Sequence, residues 1–446
     1  MNETSPKDPA KPTPAQAYLI HLRRLERLPL QDFVFTQARI LERLVRHARE
    51  HAPFYKERLK PAFDGDDILD LSRWHDVPVL QRAEAEANAK CLKSATIPAH
   101  AGIEVPDRTS GTGGSPFHFS RSMAAMVADG ANSLRVFLDH GFDVDARFAD
   151  IRIDVDGDAQ YPEGETRSDW SHGAGSGDYV LLDIDTPLDK QVEWLLRRRP
   201  KILFTWASHL RRIARRLEES GQTLDLATVG TSADKCTEAV KADCRRVFGC
   251  EPVDVLGVRE LGLVAFPCNR APVFHLAAES ALIEVITDDG RPARPGETGR
   301  IVGTGLYNYH MPFIRYGTGD YVTLADQPCV CGRSLPAVSA ILGRARNRYL
   351  KRDGSLVFPD VPESLLDEAL GAMAWQLVQT APAALDLRCE EADASRIERA
   401  MPQIAEAISR GFGEELRINT VCAPPRADTP RKKREMFLSE LDRALL

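Results

Sequence analysis

The chain has 446 residues, more than one ordinary core accommodates, so about two or three domains around a sizeable buried interior are expected. Its 58 basic against 65 acidic side chains leave a net charge of -7, which argues against a large footprint on nucleic-acid phosphates and favours small-molecule chemistry. No apolar run approaches the roughly 18 residues a membrane span needs, and the start MNETSPKDPAKPTPAQ lacks a basic and an apolar leader region, so a cytoplasmic protein without membrane partners is expected.

In chain order, the Pro-, Lys- and Asp-rich first residues read as a disordered tail, with order beginning near Ala15. In TQARILERLVRHAREHAPFYKERL, the apolar positions Ile40, Leu41, Leu44, Val45 and Ala48 follow helical spacing, and Pro53 ends the helix. The stretch DRTSGTGGSP follows, a cluster of hydroxyls and glycines whose backbone amides can approach an anion closely although it contains no lysine. By composition alone this is a plain solvent loop; it matches neither GxxxxGK[ST] nor GxGxxG. PFHFS reads as a short strand, and RSMAAMVADGANSLRVFLDHGF as a helix with a core stripe of Met123, Met126, Val127, Leu134, Phe137 and Leu138.

Beyond that point helices and strands alternate: QVEWLLRRRP, KILFTW, ASHLRRIARRLEESG, DLATVG, TEAVKADCRRVFG and EPVDVLG. Such alternation predicts βα units and a largely parallel sheet covered by helices. ALIEVITDDGRPARPGETGRIVGTGL reads as two strands around a DDG turn, hence an antiparallel sheet after the α/β part. From about residue 343 the character changes again, and PQIAEAISRGFGEEL with a basic end suggests a small α+β domain.

The nine cysteines show no regular framework, which leaves reduced thiols or a metal site rather than a secreted disulfide scaffold. Cys268 and His275 in CNRAPVFH, with Cys329 and Cys331 in CVCGR, supply three thiolates and one imidazole, the count a closed tetrahedral zinc site requires. The alternative is a set of unligated buried cysteines.

Five stretches in order carry a family pattern: RTSGTGGSP at 108–116, LGVRE at 256–260, PFIRYGTGD at 312–320, GR at 343–344 and PRKKRE at 430–435. With HAREHAPFYKERL, PGETGRIVGTGL and CVCGR, they resemble the adenylate-forming ligases, most closely the phenylacetate–coenzyme A ligase branch, over nearly the whole chain from about residue 35. The resemblance implies a large N-terminal domain of layered α/β sheets with an antiparallel β subdomain at 15–342, after a tail at 1–14, and a small mobile α+β domain at 343–446. It also implies ATP-dependent formation of an acyl-AMP from an aryl or acyl carboxylic acid, and transfer to a thiol, with coenzyme A or a carrier-protein thiol as acceptor.

By the same resemblance Ser110, Gly111, Thr112, Gly113 and Gly114 hold the β- and γ-phosphates of ATP, Glu260 binds Mg²⁺ and serves catalysis, and Gly257 and Arg259 stand beside the nucleotide. Asp320 accepts from the ribose hydroxyls, a task suited to an acceptor-only carboxylate. Arg344 contacts the nucleotide near the hinge. Lys432, with Lys433 one place along, neutralises the α-phosphate. Read without the family, Glu260 is a helix-start carboxylate and Asp320 a turn residue after Gly319. The chain departs from the pattern at Leu256, Arg259, Arg346 and Asn347: an aromatic, a hydroxyl residue and two acidic residues are usual there. Members of the branch include proteins with Zn²⁺ near the cysteine positions, and full protein coordination makes such an ion structural. Trp206, Ser208, Tyr307 and Tyr309 are candidates for the acid pocket. Transfer to an amine, a catalytically silent nucleotide-binding protein, a zinc hydrolase and a homodimer remain as alternatives.

Overall fold

The computed structural model describes residues 13–65, 68–109, 116–154, 156–170, 177–370, 375–389, 394–423 and 435–441. Helix α1 (Pro14–Leu25) opens with a reciprocal cap between Thr13 and Gln16 and with proline at its first position, where the missing N–H costs nothing. Helix α2 (Leu30–His51) buries Phe33, Ile40, Leu41, Leu44, Val45 and Ala48 along one face and stops before Pro53. Strands β1 (Glu104–Arg108) and β2 (His118–Ser122) then form an antiparallel hairpin, and helix α3 (Met123–Asp139) leaves directly from β2. The buried residues of α3 include Ala128, Ala131, Asn132, Leu134 and Arg135, whereas Met123 and Leu138 are exposed. The apolar stripe expected on this helix is thus corrected: its core face carries two polar side chains because partners elsewhere in the fold satisfy them.

The α/β alternation is as expected. Strands β3 (Phe148–Arg152), β4 (Glu165–Arg167) and β5 (Tyr179–Asp183) precede helix α4 (Leu188–Arg198). Strand β6 (Ile202–Trp206), helix α5 (Ala207–Ser220), strand β7 (Thr228–Ser232), helix α6 (Glu238–Phe248) and strand β8 (Val253–Val258) follow. Strands β3, β5, β6, β7 and β8 run parallel to one another. Alternate side chains serve two cores: Ala149, Ile151, Leu203 and Val229 pack with α4, α5 and α6, while Phe148, Ile202 and Val253 pack with residues of α1 and α3.

The antiparallel part is a continuation of this sheet. Strands β9 (Gly262–Pro267), β10 (Phe274–Leu276), β11 (Ala281–Ile286), β12 (Thr298–Gly305), β13 (Tyr316–Leu324) and β14 (Ala337–Arg344) complete one twelve-stranded sheet in the order β11-β12-β13-β14-β10-β9-β8-β7-β6-β3-β5-β4. Strand β8 is the pivot, parallel to β7 on one side and antiparallel to β9 on the other. The DDG turn is present, with Thr287 N donating to Arg291 O at 2.9 Å, but the chain runs on to Thr298 before the return strand starts.

The C-terminal domain has its own core, from Tyr349 to Phe437, with Trp375, Leu377, Leu385, Leu387, Ile404 and Phe412 at its centre. Helices α7 (Glu363–Leu370) and α8 (Ala394–Phe412) belong to it. Its sheet comprises β15 (Trp375–Ala381), β16 (Ala384–Cys389), β17 (Arg417–Cys422) and β18 (Phe437–Ser439), in the order β17-β16-β15-β18. Among the described residues, no helix is long and apolar enough to cross a membrane.

Candidate nucleotide and metal sites

Ligands of open α/β sheets collect beyond the carboxyl ends of parallel strands, and Glu260 lies at such an end, in the turn that leads from β8 into β9. The pairing of these two strands shifts register between Leu256 and Gly257, and Leu261 N closes the turn on Val258 O at 2.9 Å. Glu260 therefore belongs to a β-turn rather than a helix start, and only 6% of its surface is exposed. Gly262 adopts φ +82°, and a Cβ there would meet Asp129 Oδ1 at 2.7 Å, so the turn demands glycine. Asp129 of α3 accepts from Leu263 N at 2.8 Å and pairs with Arg121 at 3.2 Å.

Strand β13 links the candidate residues. The Tyr316 hydroxyl donates to Glu260 Oε1 at 2.7 Å, and burial followed by the nearby Glu260 charge pushes the phenol far above its ordinary pKa. Four positions on, Asp320 stands in the same strand directly opposite Arg344 of β14, with Arg344 Nε 3.6 Å from Asp320 Oδ1. Asp320 is thus a strand residue, not a turn residue. The preceding Arg315, at φ +47°, is buried and donates to Glu284 at 3.0–3.1 Å and to His75 O at 2.6 Å. Tyr55 secures the same segment, donating to Pro312 O at 2.7 Å and accepting from Ile314 N at 3.1 Å. These contacts give a physical reason for the tyrosine of HAPFYKERL and the arginine of PFIRYGTGD.

Strands β1 and β2 flank the glycine-rich stretch. Thr109 N donates to Phe117 O and Phe117 N to Thr109 Oγ1, each at 3.0 Å, while Arg82 Nη2 reaches Thr109 Oγ1 at 2.9 Å. Ser110, Gly111, Thr112, Gly113 and Gly114 lie outside the described residues, as do Lys432 and Lys433. Arg259, half exposed, is 3.4 Å from Asp107, just before that stretch. Gly257 pairs with Leu263, and an added Cβ would have room. Leu256 packs against the core.

The departures at 346 and 347 have a structural use. Arg344 N donates to Asn347 Oδ1 at 3.2 Å, which shapes the 3-10 turn Ala345–Asn347. Arg346 Nε donates to Glu435 Oε1 at 2.7 Å and Asn347 Nδ2 to Phe437 O at 3.2 Å. Glu435, three positions after Lys432, is also held at its carbonyl by Gln376 at 2.9 Å. An acidic pair at 346–347 would face a carboxylate here; the arginine and the amide bind the segment instead.

The cysteine–histidine set converges. One ligand atom each from Cys268, His275, Cys329 and Cys331 lie within 4.8 Å of one another. Tetrahedral thiolates at the usual zinc–sulfur distance stand about 3.8 Å apart, and the Cys268 and Cys329 sulfurs are 3.7 Å apart. Cys331 Sγ is 3.2 Å from His275 Nε2. Burial, then the Arg333 charge, lowers the His275 pKa to about 4 and keeps the ring neutral, as a ligand must be. The donor set fits a structural Zn²⁺ that would tie β9 and β10 to the 329–331 turn.

A cleft opens beside Glu260, between α3, the β8–β9 turn and residues 305–308; its walls include Asn132, Ser280 and Tyr307. Tyr307 is thus the one pocket candidate that reaches it. Tyr309 packs instead with His47 and His100, Trp206 with the core beneath α5, and Ser208 N with Asp234. Tyr316, Asn132 and Ser280 escaped the sequence reading; for Tyr316 the signal was its place inside IRYGTGD.

No protein-family model matches the chain. The phenylacetate-coenzyme A ligase of Thermus thermophilus is 26% identical over 362 residues, 78% of each protein. The fumarate–(S)-2,3-diaminopropanoate ligase of Enterobacter agglomerans is 21% identical over 266 residues, 58% of this chain and 67% of that protein. Among solved structures, 2-hydroxyisobutyryl-CoA ligase in the postadenylation state with 2-HIB-AMP overlays with a TM-score of 0.73 at 19% identity, over 100% of this chain and 95% of that one. The same ligase in the thioesterification state with 2-HIB-AMP and CoA gives 0.60 at 20% identity, over 95% and 93%. With the motif residues joined along β13, the chain is thus similar in sequence to a phenylacetate-coenzyme A ligase and shares the fold of 2-hydroxyisobutyryl-CoA ligase.

Proposed function

We propose that the protein converts a carboxylic acid to its acyl-AMP with ATP and then passes the acyl group to the thiol of coenzyme A. The observation that carries this reading is β13, which joins Glu260 through Tyr316 and places Asp320 opposite Arg344. In the first step a carboxylate oxygen bonds to the α-phosphorus and the bond to the bridging oxygen breaks, releasing pyrophosphate. In the second, the thiol sulfur bonds to the acyl carbon and AMP leaves with the former carboxylate oxygen.

Glu260 would hold Mg²⁺, which neutralises charge on the phosphate oxygens when bound; a lone carboxylate beside phosphates suits that ion. Tyr316 orients Glu260, Asp320 accepts from the ribose hydroxyls and Arg344 contacts the nucleotide. Ser110, Gly111, Thr112, Gly113 and Gly114 take the β- and γ-phosphates. Lys432, or Lys433 one place along, meets the α-phosphate, on a segment anchored by Glu435 to Arg346. Residues 15–342 form the ATP- and acid-binding domain, and 343–446 a domain that turns about the Arg344–Asn347 segment. Zn²⁺ on Cys268, His275, Cys329 and Cys331 has a structural part, and metal analysis of purified protein should find one zinc per chain.

Coenzyme A as acceptor is supported by the names of the Thermus ligase and of 2-hydroxyisobutyryl-CoA ligase. The likeness to an enzyme named for joining fumarate to an amine-bearing acid favours a second reading, in which an amine takes the acyl group. Acid-dependent ATP–pyrophosphate exchange, followed by product analysis with coenzyme A or with amines, separates the two. Thioester formation supports the first reading, and amide without thioester the second. ATP binding with no exchange for any acid would contradict both.

A further inference from the structure

The walls of the cleft beside Glu260 carry an ordered set of hydrogen-bonding groups. Ala125, Ala128, Asp129 and Asn132 share one face of α3, and the small alanines leave the space that the polar pair borders. Arg135 fixes that pair. A guanidinium only donates, so its 2.8 Å bond to Asn132 makes Asn132 Oδ1 the acceptor and turns Nδ2 toward Ser280, which it reaches at 2.6 Å. The Ser280 oxygen therefore accepts from Asn132, its hydroxyl lies beside that of Tyr18, and its second lone pair is left to accept. Tyr307 stands on the same cleft, edge-on to Tyr18 at 5.5 Å.

Such a cleft suits an oxygen-bearing substrate poorly matched by a phenyl ring. Tyr307 is its one aromatic lining residue, and a ring seated there would cover the Asn132–Ser280 pair without offering it a hydrogen-bond partner. Resting on the proposed adenylation reading, we infer that the acid is short and carries a hydroxyl on its second or third carbon, bonded by Ser280 and bounded by Asn132 and Tyr307. Arg135 is a positioning residue, since it acts through Asn132.

The test uses the full-length protein and ATP–pyrophosphate exchange with matched acids: lactate against isobutyrate, 3-hydroxybutyrate against isovalerate, and phenylacetate. A site that hydrogen-bonds a hydroxyl discriminates strongly against the methyl isostere, so one hydroxy acid should exceed its partner in kcat/KM by at least about tenfold, with phenylacetate below both. Ser280→Ala should bring that ratio near unity through a raised KM for the hydroxy acid, and Ser280→Thr should restore it; melting curves verify that both variants fold. An isostere or phenylacetate used best would overturn the substrate class while leaving adenylation intact. A ratio unchanged in folded Ser280→Ala would overturn the role of Ser280. Exchange with none of a wider panel of acids would overturn the adenylation reading, and this inference with it.

Discussion

Two networks of buried charge differ in where they lie. Around Arg135, Glu26 and Glu279 are nearly inaccessible; Glu26 takes bonds from Arg135 at 3.1 Å and Arg333 at 2.9 Å, and Asp139 takes Arg23 and Arg333 at 2.5 Å. All these residues sit inside the large domain and tie α1, α3 and the cysteine turn together. Around Arg211, by contrast, the network crosses between domains: Arg211 and Arg215 hold Asp243 of α6 at 2.7 and 3.0 Å and also meet Asp367 of α7. Thr237 adds a 2.7 Å bond to Glu363. The first network is completed on folding and has no reason to open. The second keeps Asp243 paired within the large domain if α7 departs, which would suit the domain rotation proposed above.

The largest expected effect breaks the first network. Arg135→Leu leaves Glu26 and Glu279 buried without this partner and should cost about 3–5 kcal/mol in denaturant unfolding. Cys331→Ser should reduce bound zinc from one per chain toward none and lower the melting temperature by several degrees, since Arg333 enters the network two positions on. Asp367→Asn keeps an acceptor for Trp375 Nε1, bonded at 2.8 Å, and removes the charge that meets Arg211 and Arg215. It should cost about 1–3 kcal/mol globally, less than Arg135→Leu because Arg211 keeps Asp243, and raise the rate of tryptic cleavage near 346–348 severalfold.

A buried carboxylate outside both networks sharpens the comparison. Asp254 takes a hydrogen bond from Thr231 at 2.8 Å, and burial above all pushes its pKa up to about 7. The folded state thus holds this proton more tightly than the unfolded state, and stability falls as pH rises from about 4 to 7. Asp254→Asn should remove that slope, raising the melting temperature at pH 8 and changing it little at pH 4. The smallest effect belongs to the exposed pair Glu42–Arg46, 2.9 Å apart, where Glu42→Gln should change stability by under about 0.5 kcal/mol.

The α/β alternation and the resemblance were legible because they rest on local periodicity and short motifs. The polar face of α3 was not: Arg135 meets Glu26 and Glu279 across 109 and 144 residues, and no spacing within the helix announces such partners. The single sheet was missed for a similar reason, since β8 takes a parallel partner on one edge and an antiparallel one on the other, which leaves no mark in EPVDVLG. Arg346 and Asn347, read as departures, acquire a purpose only with Glu435 and Phe437 beside them.

The central claim is that the residues joined along β13 form an adenylation site. The most direct measurement is ATP–pyrophosphate exchange with the best acid, in the native protein and in folded Glu260→Gln and Asp320→Asn. The account predicts exchange in the native protein, a loss on the order of 10²–10³-fold for Glu260→Gln, and a raised KM for ATP in Asp320→Asn. Exchange unchanged by both substitutions would contradict it.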